Sequence, residues 1–203
     1  MAPVKSIIFD LGGVLLNLDV PKTSDAFKAL GLTHIDELFR IGFATSFFRD
    51  YEMGTISDEL FIEKAQQLSA PGTTKDQIIA AWNDMLLDFP AKRVEFLKKL
   101  QSKYRLYLFS NTNQIHLLHF HKAYREVYGS DMDNLFTKAY YSHLIKLRKP
   151  DVAAFEYVIK DSSVHAAETL FIDDALVNVE GAQKAGLQGL HLTGGKTILD
   201  LGL

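Results

Sequence analysis

Five short runs rich in apolar, β-branched and aromatic residues recur along the chain and predict strands over Val4–Phe9, Tyr104–Phe109, Lys138–Tyr141, Thr169–Ile172 and Gly189–Leu192. Between them, helical spacing of apolar positions falls on Lys92–Leu100, Ile115–Tyr128, Val152–Ile159 and Asn178–Ala185, the last stopped by Gly186. Strand alternating with helix is the pattern of a doubly wound, Rossmann-like parallel sheet, an α/β fold. The alternation breaks once. From Asn17 to Phe89 no strand pattern occurs, only helical pieces punctuated by Pro21, Gly31, Gly54, Pro71-Gly72 and, just beyond, Pro90. Within that stretch Thr74-Lys75-Asp76-Gln77 has the spacing of a helix-capping box. Residues 17–89 therefore read as a helical cap subdomain inserted into a core domain made of 1–16 and 90–203.

Composition narrows the field without choosing within it. A chain of 203 residues with 47% hydrophobic and 23% charged residues carries enough apolar mass for one full core. The formal charge of −3 gives no broad basic field, which argues against a nucleic-acid partner held through phosphate contacts. The chain has no cysteine, so disulfide and thiolate chemistry are excluded, and a reducing cytoplasm is compatible with that. No apolar stretch has the length of a signal peptide core or a membrane span, so the expectation is a soluble, cytoplasmic protein with no membrane partner.

Two of the strand runs end in the same way, Ile7-Ile8-Phe9-Asp10 near the start and Leu170-Phe171-Ile172-Asp173-Asp174 near the end. A carboxylate that directly follows a buried strand has to reach the sheet edge or a cation. In an open parallel sheet the carboxyl ends of the strands face one crevice, where ligands bind, so the two acidic ends point to a shared site. Two adjacent acids, Asp173 and Asp174, repel each other unless positive charge stands between them.

Four short motifs, in order, carry a resemblance: Phe9-Asp10-Leu11-Gly12-Gly13-Val14, Leu108-Phe109-Ser110-Asn111, Arg148-Lys149-Pro150-Asp151, and Phe171-Ile172-Asp173-Asp174 followed by Asn178. Together they resemble the haloacid dehalogenase-like hydrolase superfamily over nearly the whole chain. Tyr51-Glu52-Met53-Gly54-Thr55-Ile56-Ser57 is similar to the cap sequence of that superfamily. Asp-Leu-Gly in the first motif and Ser-Asn-Thr-Asn in the second resemble the branch of sugar-1-phosphate phosphatases and of the soluble epoxide hydrolase phosphatase domain. The resemblance implies a Mg²⁺-dependent phosphatase acting on a small phosphorylated metabolite such as a sugar phosphate. Asp10 would be the nucleophile that becomes an aspartyl phosphate, and Lys149 a compact charge for the nucleophile and the phosphoryl oxygens. Ser110 and Asn111 would hold the remaining phosphoryl oxygens. Mg²⁺, which favours oxygen ligands shared with phosphate, would be held by Asp10, the Gly12 carbonyl and Asp174. Asp173 would join them or, with Asn178, act through metal-bound water.

One departure stands out. Many phosphatases of this superfamily carry a general-acid aspartate two positions after the nucleophile, and here that position is Gly12. Loss of general acid–base help costs a factor of about 10² to 10⁴, least for leaving groups that need little protonation. Members of the similar sugar-1-phosphate branch also have glycine there. Asn17, Asp19 and His116 are the candidates to substitute through water. His116, His119 and His121 lack a thiolate or clear fourth ligand and read as a polar helix face rather than a zinc site. Gly194-Gly195-Lys196-Thr197 imitates the end of a phosphate-binding loop but has Leu190 where that motif needs glycine. Phe47, Phe48 and Tyr51, with Arg40 and Arg49, read as cap core and surface. Lys146 takes a place where relatives usually have glycine. Two other function classes stay open at this point: a dehalogenase using a bare Asp10 carboxylate, and a non-catalytic domain that binds phosphate.

Overall fold

The computed structural model describes residues 2–39 and 47–203. Arg40 therefore lies outside the described residues. Five strands, β1 (Ser6–Phe9), β2 (Arg105–Ser110), β3 (Lys138–Tyr141), β4 (Thr169–Asp173) and β5 (Gln188–His191), form one sheet in the order β3-β2-β1-β4-β5. Every pairing is parallel. Successive residues of a strand point to opposite faces, so Ile7, Phe9, Leu106, Leu108, Leu170 and Ile172 enter one core layer. Ile8, Tyr107, Phe109, Tyr140 and Phe171 enter the layer on the other side. Both layers are closed by helices, which is why the central strand β1 is buried on both faces.

The strands β2 and β4 each run one residue past the apolar pattern. Ser110 pairs in register with Tyr141, and Asp173 with His191. The backbone ladder is indifferent to side-chain polarity, so the residues at these polar ends are held with the precision of a strand.

Between β1 and β2 lie the helices α1 (Val20–Ala29), α2 (Phe47–Glu52), α3 (Asp58–Gln67), α4 (Lys75–Asn83) and α5 (Ala91–Leu100). The capping box at α4 is complete: the Gln77 N–H donates to the Thr74 hydroxyl at 3.3 Å, and the Thr74 N–H donates to the Gln77 side chain at 2.8 Å. A separate buried cluster joins Phe27, Phe48, Phe61, Ile78 and Trp82 with Ile115. The two chain segments that lead into and out of these helices pair with each other. Asn17 N–H donates to the Asp88 carbonyl, Leu87 N–H to the Asn17 carbonyl and Asp19 N–H to the Met85 carbonyl, each within 3.0 Å. Beyond β2 follow α6 (Gln114–Tyr128), the short α7 (Ser142–Ile145), α8 (Val152–Ser162) and α9 (Leu176–Lys184). Among the described residues, no helix is long and apolar enough to cross a membrane.

Candidate active site

Asp10 is the first residue past β1, where its N–H donates to the Ile172 carbonyl at 2.9 Å and fixes it beside the end of β4. Leu11 to Leu16 then turn tightly back, with Leu15 and Leu16 N–H groups both donating to the Leu11 carbonyl. Gly13 takes φ +73°, and a Cβ there would lie 2.2 Å from Asp174 Oδ2, so conformation and space both demand glycine.

Lys149 is the hub. Its side chain is 1% exposed, and its Nζ donates to Asp10 Oδ1 at 2.6 Å and to Asp173 Oδ2 at 2.7 Å. The main chain of Lys149 is gripped by one side chain: its N–H donates to Asn111 Oδ1 and its carbonyl accepts from Asn111 Nδ2, both at 2.9 Å. Asp173, fully buried, also accepts from the Ala175 N–H at 2.8 Å and from Asn178 Nδ2 at 3.1 Å. Ligand atoms from Asp10, Asp173 and Asp174 lie within 4.8 Å of one another.

Charge in so dry a place perturbs the titration of these groups. Burial pushes the Asp10 carboxyl up to about 7, with Lys149 opposing and Asp173 adding to the rise. Burial also raises Asp174, with the Asp173 charge adding to it. Lys149 feels burial in the opposite sense, but the charges and hydrogen bonds of the two aspartates outweigh it and hold the ammonium above its ordinary value. Three carboxylates facing one lysine leave an excess of negative charge. An all-oxygen donor set of that charge fits a hard divalent cation such as Mg²⁺.

Ser110, 3% exposed, closes β2 beside this group, and Asn111 follows it. The N-cap of α6 is Asn113, whose Oδ1 accepts from the His116 N–H at 3.0 Å, so Ser110 is not spent on capping. Ser142 clasps the same turn, accepting from the Thr112 N–H and donating to the Thr112 carbonyl. A cavity of about 230 Å³ opens against Gly12, Ser110 and Asn111 and is walled on its far side by residues of the helical insertion.

The structure brings together Asp10, Gly12, Ser110, Asn111, Lys149, Asp173, Asp174 and Asn178. It does not bring in Asn17, which donates to Asp88 and accepts from Arg93. Asp19 stands at the start of α1 and does not line the cavity. His116 does face the cavity, but it stacks on Trp82 and its Nε2 pairs with the Trp82 carbonyl at 2.9 Å. Burial drives its pKa down to about 4, so its ring is neutral at physiological pH. His121 turns to the Tyr141 hydroxyl instead of joining His116. Among the described residues, the one acid and histidine grouping that could take a metal is the aspartate trio. Phe48 and Tyr51 are buried, and Phe47 is partly so. Lys146 adopts φ 59°, the left-handed conformation that explains a glycine preference at this position.

One connection had no reading in the sequence beyond a motif. Glu52, the last residue of α2, accepts from Arg148 Nη2 at 2.9 Å, with both side chains little exposed. Lys146 Nζ donates to the Gly54 carbonyl beside it. The Tyr51–Ser57 motif is thus the part of the insertion that rests on the loop carrying Lys149.

The sequence pattern of haloacid dehalogenase-like hydrolases matches residues 4–186. A D-ribitol-5-phosphate phosphatase of Bacteroides thetaiotaomicron is 29% identical over 91% of this chain and 90% of its own length. A sesquiterpene phosphatase of Aspergillus oryzae is 32% identical over 93% of this chain and 90% of its own. A crystal structure of a family enzyme from Bacteroides thetaiotaomicron in complex with magnesium and inorganic phosphate superposes with a TM-score of 0.91 at 33% identity, covering 98% of this chain and all of that one. The family match spans nearly the whole chain and the fold superposes on that of the family enzyme, so the chain belongs to the haloacid dehalogenase-like hydrolase family.

Proposed function

We propose that this chain is a Mg²⁺-dependent phosphatase that hydrolyses a small phosphomonoester through an aspartyl phosphate on Asp10. The observation that carries the proposal is Lys149 Nζ, buried, shared between Asp10 and Asp173 beside the Asp174 carboxylate. Kinship with phosphatases of a sugar-alcohol phosphate and of sesquiterpenes supports the reaction class and the placement near sugar-phosphate phosphatases.

In this reading Asp10, Asp174 and the Gly12 carbonyl hold Mg²⁺, while Asp173 orients Lys149 and completes the acidic group. When bound, Mg²⁺ neutralises the phosphoryl oxygens and lets a carboxylate approach them. A carboxylate oxygen of Asp10 attacks phosphorus, and the bond from phosphorus to the leaving oxygen breaks. Ser110, Lys149 and the Asn111 N–H hold the equatorial oxygens, since the Asn111 side chain is committed to the Lys149 main chain. Water then attacks phosphorus, phosphate departs and the Asp10 carboxylate is restored. No side chain at position 12 can protonate the leaving oxygen, so that proton comes from solvent. We assign 17–89 as the cap and 1–16 with 90–203 as the catalytic core, a division supported by the mutual pairing of the two connecting segments.

The test is a panel of phosphate esters with Mg²⁺ and with chelator, run beside Asp10→Asn. The proposal expects turnover that needs Mg²⁺ and is lost in the variant. Halide release from a 2-haloacid that is insensitive to chelator would replace it with a dehalogenase. Binding of Mg²⁺ and a phosphate analogue with no turnover of any ester would replace it with a binding domain.

A further inference from the structure

We infer that the cavity beside the phosphoryl site takes an apolar leaving group, so that the preferred substrates are monophosphates of short branched-alkyl, prenyl or aryl alcohols rather than of polyols. The inference rests on the phosphatase reading and narrows it to a substrate class. Facing Gly12, Ser110 and Asn111, the wall is built by Leu16, Leu18, Val20, Phe39, Met85 and Leu86, none of which offers a hydrogen bond from its side chain. The polar side chains among the described lining residues are mostly committed elsewhere. Glu52 is bonded to Arg148, and His116 has Nε2 on the Trp82 carbonyl and Nδ1 at 3.2 Å from Asn113 Nδ2. Asn111 grips Lys149. Trp82 Nε1 donates to Asn113 Oδ1. Beyond the phosphoryl contacts of Ser110, the Thr112 hydroxyl and the second carboxylate oxygen of Glu52 are what remain among the described lining residues.

A second observation concerns the place where other members of the superfamily project a general acid. A Cβ on residue 12 would lie 2.6 Å from Leu18 Cδ1, so an apolar side chain covers the spot directly beside the leaving oxygen. Leu18 is held there by its antiparallel bridge to Leu86. Leu18 and Val20 leave the cavity open to solvent on one side, but polyol hydroxyls packed against Leu16, Phe39, Met85 and Leu86 would give up water and regain few partners, whereas an alkyl chain loses nothing. The volume of about 230 Å³ suits a group of modest size. A dry apolar cavity of about 150 Å³ already admits benzene, so a ring or a five-carbon branched chain fits here with room to spare.

The test compares 3-methylbutyl phosphate with a pentitol 5-phosphate, two primary esters of five carbons, on the purified chain with Mg²⁺. The expected kcat/KM favours the alkyl ester by about 10²-fold, the consequence of leaving two or so hydroxyls without partners. Leu18→Asn and Leu86→Asn, at partly exposed positions that tolerate a polar side chain, are expected to shrink that ratio by roughly tenfold each. Equal or better turnover of the pentitol ester, or a ratio unmoved by both variants, overturns the inference. Should neither ester react, the non-hydrolysable phosphonates of the same two alcohols, titrated by calorimetry, read the preference directly. Tighter binding of the alkyl phosphonate then sustains the apolar site while the phosphatase reading fails, and tighter or equal binding of the pentitol phosphonate sinks the inference.

Discussion

Replacing Lys149 by methionine keeps most of the length and bulk of the side chain and removes its charge together with its two hydrogen bonds. The position is 1% exposed and its Nζ lies within 2.7 Å of oxygens from two aspartates. Removing one partner of a buried ion pair costs about 3 to 5 kcal/mol, because the charge left behind can neither be solvated nor paired. For a chain of this size each kcal/mol lowers Tm by about 2 to 4 °C, so thermal denaturation in chelator at neutral pH should show a drop of roughly 6 to 20 °C. The pH dependence has a definite sign. The Asp10 carboxyl titrates at about 7 in the fold against 3.8 when unperturbed, so its contribution to stability is complete below about 4 and is lost as pH rises through 7. Lys149 is the influence that holds this carboxyl down, and without it the carboxyl moves further up. The deficit of Lys149→Met relative to the wild type should therefore stay level below about pH 7 and widen above it, where the wild-type carboxyl has ionised and the variant's has not. Activity should fall by about 10² to 10³ or more, since a fixed charge on the transferring phosphoryl group is gone. A variant that melts with the wild type in chelator at neutral pH, or that loses the same stability at every pH, would refute the reasoning.

Three further outcomes follow from the same geometry. Asp10→Asn should abolish turnover yet raise the Tm of the metal-free protein above pH 7, because an uncharged amide replaces a carboxylate that burial disfavours; a lower Tm there would contradict the assignment. Gly13→Ala strains a φ of +73° and drives a methyl into Asp174 Oδ2, so calorimetry should register a loss of Mg²⁺ affinity of about tenfold or more, and unchanged affinity would separate Asp174 from the metal. His116 is held neutral above its pKa of about 4, so His116→Gln should leave the shape of the pH–rate profile between about pH 5 and 8 unchanged, and the disappearance of a limb in that range would make His116 the proton donor.

The sheet and its acidic ends were legible because they follow from periodicity that a strand cannot escape. Ile7, Ile8 and Phe9 have to be buried on both faces, and a strand so buried sits in the middle of a parallel sheet with its polar C-terminal end at the crevice. That logic joined Asp10 to Asp173 across more than half the chain. The helix start at Thr74 was legible for a local reason, since Gln77 three residues on satisfies the same amide pair in isolation as in the fold. Lys149 was found only by resemblance, because it lies on a loop between α7 and α8 with no period to betray it. Its orientation depends on Asn111, and nothing in the local sequence of either residue encodes that reciprocal pair. The Glu52–Arg148 contact was equally hidden. Both residues carry charge, and charge in a helix-end and loop setting ordinarily faces water. The two meet in the fold where Gly54 packs against the His143 carbonyl, which a Cβ would approach to 2.2 Å, and where Lys146 Nζ donates to the Gly54 carbonyl. The polar extension of β2 and β4 by Ser110 and Asp173 escaped the apolar criterion because hydrogen-bond register, not hydrophobicity, ends a strand.

The central claim is that Asp10 is phosphorylated during turnover. Single-turnover reaction with a hydrolysed ester and Mg²⁺, quenched in acid, treated with borohydride and read by peptide mass spectrometry, tests it directly. An acyl phosphate on Asp10 is reduced to homoserine at that position, and the account predicts that conversion in the quenched enzyme and its absence when chelator is present. Full release of phosphate in that turnover, with Asp10 recovered only as aspartate at every quench time and Asp10→Asn still active, would contradict it.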